Sequence, residues 1–262
     1  MRENQYTIAE PVKLEGIGLH TGKPVVLSFK PADANSGISF VRTDLPGKPF
    51  IKACLDNVVA TNRGTVLRQN EAQVYTVEHV LAAVSGSGID NIEIELSSEE
   101  PPAGDGSASL FIDLLKTAGK RPLSEAREVI RLDQSFWHKD GDKFMAYLPS
   151  DKLEISFYLD YNNGLLDPQS TRVEIDQQTF TTRIGRARTF GFEYEFEMLA
   201  ANNLARGGSL ENAIVIGNDG KIQNEGGLRD PQEFVLHKIL DFVGDFSLLG
   251  KRVTGHFIAE KT

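Results

Sequence analysis

The chain has 262 residues, with 28 Lys and Arg against 37 Asp and Glu, for a formal net charge of −9. Its 40% hydrophobic and 25% charged content is that of an ordinary globular protein, long enough for one large domain or two of usual size. The acidity, with no clustered basic face, argues against a nucleic-acid binder but leaves room for an anionic small molecule held by a few local cations. No apolar run approaches the roughly 18–20 residues that span a bilayer, and the amino terminus lacks the basic-then-apolar layout of a signal peptide. The one cysteine, Cys54, excludes an internal disulfide and fits a reducing compartment. A cytoplasmic monomer is expected.

Residues 6–16 alternate in the manner of a strand, and Gly16, Gly18 and Gly22 then punctuate a loop around Leu19-His20-Thr21. His20 in that loop reads as a polar contact at a cleft or as a solvated loop histidine. Residues 23–29, 37–41 and 51–57 carry further strand signals, with a turn at Pro46-Gly47. Residues 61–67, TNRGTVL, lead into 74–84, VYTVEHVLAAV, where Thr76 is a candidate N-cap that puts Glu78 and His79 in a first helical turn. The helix dipole there should keep Glu78 ionised near neutrality and able to accept a proton. Adjacent helical residues project about 100° apart, which suits His79 on a metal and Glu78 on the water that the metal holds. A bare Glu-His pair is nonetheless a weak signal. Residues 91–96, NIEIEL, form a strand, and Asp105-Gly106-Ser107 is a turn entering a helix over 108–118, as a structural entry or as a binding loop.

Residues 121–127, RPLSEAR, read as a linker, which places a domain boundary near 126 and divides the chain into 1–126 and 127–262. Strands follow at 129–132, 143–148, 152–159 and 172–175, with turns at Asn162-Asn163-Gly164 and Asp167-Pro168. Aromatic and small residues mix over 184–192, a helical segment at 193–201 and 204–209. That mixture describes a narrow apolar passage with a polar mouth, or simply a helix packed on a sheet.

Residues 228–250 hold a helix opened by Asp230 as N-cap, Pro231 in the first position and Glu233 closing a capping box, with Gly250 as the stop. His237, Asp241 and Asp245 recur every fourth residue and share one face of this apolar helix. Buried charge is costly unless it is paired or bound to a metal, and His with Asp one turn apart suits Zn²⁺. A salt-bridged helix face explains the pair as well, so a third ligand from elsewhere is required. Of the five histidines, His79 is the best candidate.

EHVLAAV (78–84) aligns with HKILDFV (237–243), and each is followed by a Gly-containing loop and a strand, NIEIEL or VTGHFIA. An internal duplication is therefore predicted. A loop and helix follow NIEIEL, whereas the sequence after VTGHFIA stops at Thr262, so the second half is expected to lack its last loop and helix.

The motifs GIGLHTG (16–22), TVEHVLAAV (76–84), DGSA (105–108), ARTFGF (187–192), GGSLENAIV (207–215) and FVLHKILDFVGD (234–245) together resemble the UDP-3-O-acyl-N-acetylglucosamine deacetylase family, zinc amidases that commit a sugar nucleotide to lipid A synthesis. The resemblance implies an α+β fold of two similar domains, each a β-sheet with paired helices, the helices packed between the two sheets. It implies Zn²⁺ held by His79, His237 and Asp241 with water in the open fourth position. Glu78 is then the general base, and Thr189 and Lys238 join the metal in stabilising the oxyanion. A tunnel for the acyl chain is implied along 190–204. The substrate contacts expected there and at its mouth are His20, Phe190, Phe192, Leu199, Gly208 and Ser209, with Glu193 less apolar than such a tunnel calls for. Family members continue past the final strand with a Gly-His pair, whose histidine Asp245 is expected to orient. Without it, slow turnover or none is expected from residues 1–262. Gly104 stands where the family usually has a larger apolar residue. Three other readings compete: a non-catalytic binder of acylated sugar nucleotides, a zinc amidohydrolase for another N-acetyl sugar, and a scaffold with His237 and Asp241 as a buried ion pair.

Overall fold

The computed structural model describes residues 3–261. Thr262, the end of the last expected strand, lies outside them, as do Met1 and Arg2. The first half runs β1 (Asn4–Ile8), β2 (Val12–Ile17), β3 (Pro24–Pro31), β4 (Ile38–Arg42), β5 (Phe50–Lys52), β6 (Val58–Ala60), β7 (Val66–Gln69), β8 (Ala72–Val74), α1 (Glu78–Gly86), β9 (Ile92–Leu96) and α2 (Ser109–Ala118). After β10 (Lys120–Ala126) and β11 (Val129–Ile130) come β12 (Phe136–Asp140), β13 (Lys143–Leu148), β14 (Leu153–Leu159), β15 (Gln169–Glu174) and α3 (Gln177–Thr182). The chain closes with β16 (Phe190–Phe192), α4 (Phe196–Ala201), β17 (Ile214–Ile216), α5 (Glu233–Phe246), β18 (Arg252–Val253) and β19 (Gly255–Glu260).

Two five-stranded mixed sheets carry the architecture, in the orders β2-β3-β9-β4-β5 and β12-β13-β19-β14-β15. Strand directions match as well as order. In each sheet the central strand is antiparallel to one neighbour and parallel to the other, with antiparallel pairs outside. α1 precedes the central strand β9 and α5 precedes its counterpart β19. The duplication expected from EHVLAAV and HKILDFV is therefore present as a repeat of topology. Period-two alternation sets the faces: in β9 Ile92, Ile94 and Leu96 are buried while Glu93 and Glu95 are only partly so.

The inward faces of both sheets are covered by helices whose apolar residues merge into one core. Val80, Leu81 and Val84 of α1 share it with Leu236, Ile239, Leu240 and Val243 of α5. α1 and α5 pack directly on each other, and Gly244 permits the approach. A Cβ at that position would stand 2.1 Å from the carbonyl oxygen of Glu78, so any side chain would force the helices apart.

Several expected elements differ. Residues 6–16 are two strands, broken around Pro11, and β1 leaves the main sheet to pair antiparallel with β10. The expected linker at 121–127 is thus mostly strand. Its residues are exposed on both faces, so no hydrophobic alternation marks it, and backbone pairing alone defines it. β12 was equally invisible because all five of its residues are exposed. Over 51–57 the strand ends at Lys52, and Leu55–Asn57 is a 3₁₀ turn. Thr76 is not the N-cap of α1: it has φ +54° and donates its hydroxyl to Glu100 at 2.9 Å. The capping box at 230–233 is also absent, because α5 begins at Glu233 without a side-chain cap. Asp230 accepts from the Gln232 N–H and from Arg183, while Glu233 is taken by Arg188, at 2.8 Å from its Nε. Among the described residues, no helix is long and apolar enough to cross a membrane.

Candidate metal centre and its cleft

Where α1 and α5 cross, His79 and His237 present their rings edge to face with centroids 4.9 Å apart. Asp241, one turn beyond His237, places Oδ1 3.5 Å from the Nε2 of each imidazole. One ligand atom from each of the three lies within 4.8 Å of the others. Three donors at such spacing surround a point that a single divalent cation can occupy. The surroundings prepare them for it. His237 Nδ1 is 3.0 Å from the Ala187 carbonyl oxygen; a carbonyl only accepts, so Nδ1 carries the hydrogen and Nε2 is left with a free lone pair. Asp241 Oδ1 is buried with no hydrogen-bond partner. A buried carboxylate oxygen without a donor is costly, and a cation at the shared point removes that cost. The cluster therefore fits a metal ion better than it fits an ion pair.

Electrostatics agree for His237 and Asp241. Burial pushes His237 down to about 4, with the neighbouring Asp241 opposing it, so its imidazole is neutral, as a ligand must be. Burial pushes Asp241 up, but His237, Lys238 and His79 together hold it well below the usual carboxylate range. Burial would also lower His79, yet the Asp241 carboxylate outweighs that and raises it.

Glu78 opens α1 beside His79 and is buried. Its Oε2 accepts from the Thr65 N–H at 2.9 Å, and the Thr65 hydroxyl donates to Asp245 Oδ1 at 2.7 Å. Thr65 thus ties the carboxylate at the start of α1 to the third acidic group on the α5 face. The helix-dipole argument expected Glu78 to stay ionised at neutrality. Burial overrides it and pushes Glu78 up to about 7, with Asp241 adding to the rise and His79 opposing it. A carboxyl poised there is better matched to proton exchange near neutral pH than a fully ionised one. Asp245 is likewise raised to about 6 by burial, against the Thr65 bond. Lys238 Nζ sits 3.2 Å from Asp241 Oδ2. Burial lowers its pKa, but Asp241 more than compensates and keeps it protonated.

These groups floor a cavity of about 760 Å³, lined also by Thr189, Phe190, Leu199, His20, Gly208 and Ser209. Among the expected metal ligands, catalytic groups and substrate contacts, only Phe192 stands apart. It is 2% exposed and lies behind the lining, its ring against Tyr161 and stacked on Tyr194. The DGSA loop is structural support rather than a contact. The carbonyl of Gly106 accepts from the Thr189 N–H at 2.7 Å, and a Cβ on Gly106 would stand 2.0 Å from the Asn212 carbonyl oxygen, so the glycine lets the loop pack closely against the segments that carry Thr189 and Asn212. His20 is no solvated loop histidine: its Nδ1 accepts from the Ala205 N–H at 3.2 Å and its Nε2 donates to the Arg63 carbonyl at 3.0 Å. Thr65, Arg63, Tyr161 and Lys143 also line the cleft and escaped the sequence reading. Each sits in a loop or at a strand end where no periodicity points to it. Only the lead of TNRGTVL into the helix hinted at Thr65.

Comparison with known proteins agrees with this geometry. The family model described as LpxC, UDP-3-O-acyl N-acetylglycosamine deacetylase, matches residues 5–262. A UDP-3-O-acyl-N-acetylglucosamine deacetylase of Myxococcus xanthus is 43% identical over 259 residues, covering 99% of this chain and 82% of that protein. Proteins of the same description from Anaeromyxobacter sp., 44% identical over 99% of this chain and 84% of theirs, and from Methylococcus capsulatus, 41% identical over 98% and 85%, are similar to the same extent.

Proposed function

The chain belongs to the UDP-3-O-acyl-N-acetylglucosamine deacetylase family, metal-dependent hydrolases that act on the acetamide of an acylated sugar nucleotide in lipid A biosynthesis, and we propose that zinc is its metal and that Glu78, Lys238 and Thr189 divide the chemistry around it. Zinc held by His79, His237 and Asp241 would supply a Lewis acid that polarises the amide carbonyl and acidifies the attacking water. Glu78 takes the proton of that water and returns it to the departing amine nitrogen, a role supported by its burial and by its pKa near 7. Lys238, kept protonated by Asp241, and Thr189 stabilise the negative charge that gathers on the carbonyl oxygen. Asp245 is a positioning group, acting through Thr65 on Glu78.

The apolar part of the cleft, with Phe190, Leu199 and Leu204 among its lining residues, takes the acyl chain, at roughly 0.8 kcal/mol per buried methylene. Gly208, Ser209 and His20 border the same space. The scheme is complete within one chain and so is compatible with the expected monomer, and the lone Cys54 fits a reducing cytoplasm. The boundary between the two repeats is placed near residue 126, between the first sheet and the second.

The observation that carries the reading is the convergence of three ligand atoms on one point, one of them a buried oxygen with no other partner. The test is metal content by elemental analysis together with acetate release from a 3-O-acylated UDP-N-acetylglucosamine. Wild type should hold about one zinc per chain, Glu78→Gln should keep the zinc and lose about 10²–10⁴ in kcat, and His237→Ala should lose both. Full activity in metal-free protein would overturn the assignment. Turnover indifferent to the acyl chain would move it to another N-acetyl sugar.

A further inference from the structure

One wall of the apolar cleft has little structure of its own. It consists of a 3₁₀ turn at Glu193–Glu195 and α4, only six residues long, from which Phe196, Leu199 and Ala200 line the cavity. A helix that short does not hold itself together in water, so tertiary ties must fix its place. Two of them come from the same half of the chain. Glu193 Oε2 accepts from the Asn218 N–H at 3.0 Å, and the Tyr194 ring stacks on Phe192 with centroids 5.3 Å apart.

Beside the hydrogen bonds that residues 205–207 make to Leu19 and His20, the side-chain tie from the other half is an ion pair across the cleft. Arg63 Nη2 lies 2.5 Å from Glu195 Oε1, with side-chain exposures of 38% and 14%. Among the described residues it is the only ion pair that joins residues 193–203 to the first half. Glu195 is itself braced, since its Oε2 accepts from the Phe192 N–H. Arg63 is held from behind, because His20 donates to its carbonyl oxygen while accepting from Ala205. The residue also keeps a φ of +63°, which a non-glycine residue adopts only at a cost that its surroundings must meet. The backbone at 63 is thus fixed by a partner in the cleft wall, and its side chain reaches over to the 3₁₀ turn that precedes α4. Both members line the cavity.

We propose that the Arg63–Glu195 pair is a clasp that pre-forms the wall of the acyl passage, so that affinity depends on acyl-chain length through it; the proposal rests on the deacetylase reading above. With the clasp closed, a long chain enters a wall already in place. With it open, binding must order that wall, and the cost appears only for substrates long enough to reach it. The chemistry at Glu78 and the metal ligands is untouched, so the effect belongs in KM and not in kcat.

The test uses 3-O-myristoyl and 3-O-butyryl UDP-N-acetylglucosamine with wild type, Arg63→Ala, Glu195→Ala and the exchanged pair Arg63→Glu with Glu195→Arg. Each alanine variant should raise KM for the myristoyl substrate about three- to fivefold, the upper range for a partly exposed pair, with kcat and the butyryl KM within about twofold of wild type. The exchanged pair should recover most of the loss. Hydrogen exchange of amides 196–205, which needs no substrate, should quicken in the alanine variants and slow again in the exchanged pair. Equal effects on both substrates, a lowered KM for the long chain, or unchanged amide exchange would overturn the clasp. A wild type that neither binds nor cleaves either substrate sinks the deacetylase reading instead, and the exchange data then decide the clasp alone.

Discussion

Gly244→Ala separates two arguments of opposite sign. Gly244 lies inside α5, and by helix propensity alone alanine there should stabilise by about 0.8–1.0 kcal/mol. The structure says otherwise. The added Cβ would meet the Glu78 carbonyl oxygen at 2.1 Å, its carbon at 2.9 Å and its Cα at 3.1 Å, all backbone atoms that cannot rotate away. Relief requires α1 and α5 to part by roughly 1 Å, a core strain that costs about 1–3 kcal/mol, so the net change is destabilising by up to about 2 kcal/mol. The displacement falls where His79 leaves α1, against ligands on α5 that must hold metal distances to about ±0.2 Å. Metal retention should therefore suffer more than the fold does. The assays are thermal unfolding with and without added zinc, and zinc retained after dialysis against a graded series of chelator. A midpoint lowered by a few degrees with zinc lost at weaker chelator is expected. If the variant is as stable as wild type or more so, and keeps its zinc, then the helix contact does not set the ligand geometry and the reasoning fails.

Thr65→Val keeps the N–H that serves Glu78 and removes the hydroxyl that serves Asp245; leaving that buried carboxylate short of a donor should cost about 1–3 kcal/mol, and an unchanged unfolding midpoint would refute the tie. Asp105 tests the pH dependence: burial raises its pKa, but the Ser107 hydroxyl and Arg229 outweigh that and lower it. Its folded-state pKa being depressed, the stability it contributes is present above the unfolded value of about 3.9 and is lost as the pH falls through the folded one. Asp105→Asn should thus be less stable than wild type at neutral pH and should lose less on acidification below about pH 4, as read from midpoints across that range; parallel curves would contradict it. Arg188→Ala strands Glu233, which is 0% exposed, and should cost about 3–5 kcal/mol, or the chain should fail to fold; a loss under 1 kcal/mol would show that the carboxyl simply takes up a proton.

The sequence disclosed what is periodic and left dark what is not. The α5 face was legible because His237, Asp241 and Asp245 repeat at the helical interval within an apolar run, and the repeat EHVLAAV/HKILDFV carried the equivalence of the two sheets. β10 and β12 were not legible, since strands exposed on both faces have no alternation to read. The helix starts at Thr76 and Asp230 differ from expectation for one shared reason: Glu100 and the Arg183 and Arg188 side chains lie far away in sequence and compete for the groups that local rules assign to capping. Phe190 and Phe192, two apart on β16, both pack on Tyr161, yet Phe190 lines the cleft while Phe192 is buried beneath it, a difference of depth that the alternation of a strand does not encode. Glu78 was found, but its charge state was not, because burial depends on the whole fold while a helix dipole is visible from nine residues.

The duplication also explains why the site is asymmetric. Aligning EHVLAAV with HKILDFV puts Glu78 opposite His237, His79 opposite Lys238 and Ala82 opposite Asp241. Two copies of one helix, packed face to face, bring the start of α1 against the middle of α5, so the groups near that crossing are natural places for chemistry. A symmetric pair would nonetheless fail. Repeating Asp241 at position 82, where the alanine is fully buried, would place a second carboxylate beside a single cation, with one negative charge left unmet in a dry interior. Repeating His237 at position 78 would provide a third imidazole and remove the carboxyl that burial raises to about 7 beside the cluster. The division proposed, with Glu78 and His79 on α1 and His237, Lys238 and Asp241 on α5, would let one metal meet the unpartnered Asp241 oxygen while Glu78 stays poised near neutrality. Amide hydrolysis by the proposed scheme draws on that inequality, and the repeated scaffold supplies the close helix pair in which it is arranged.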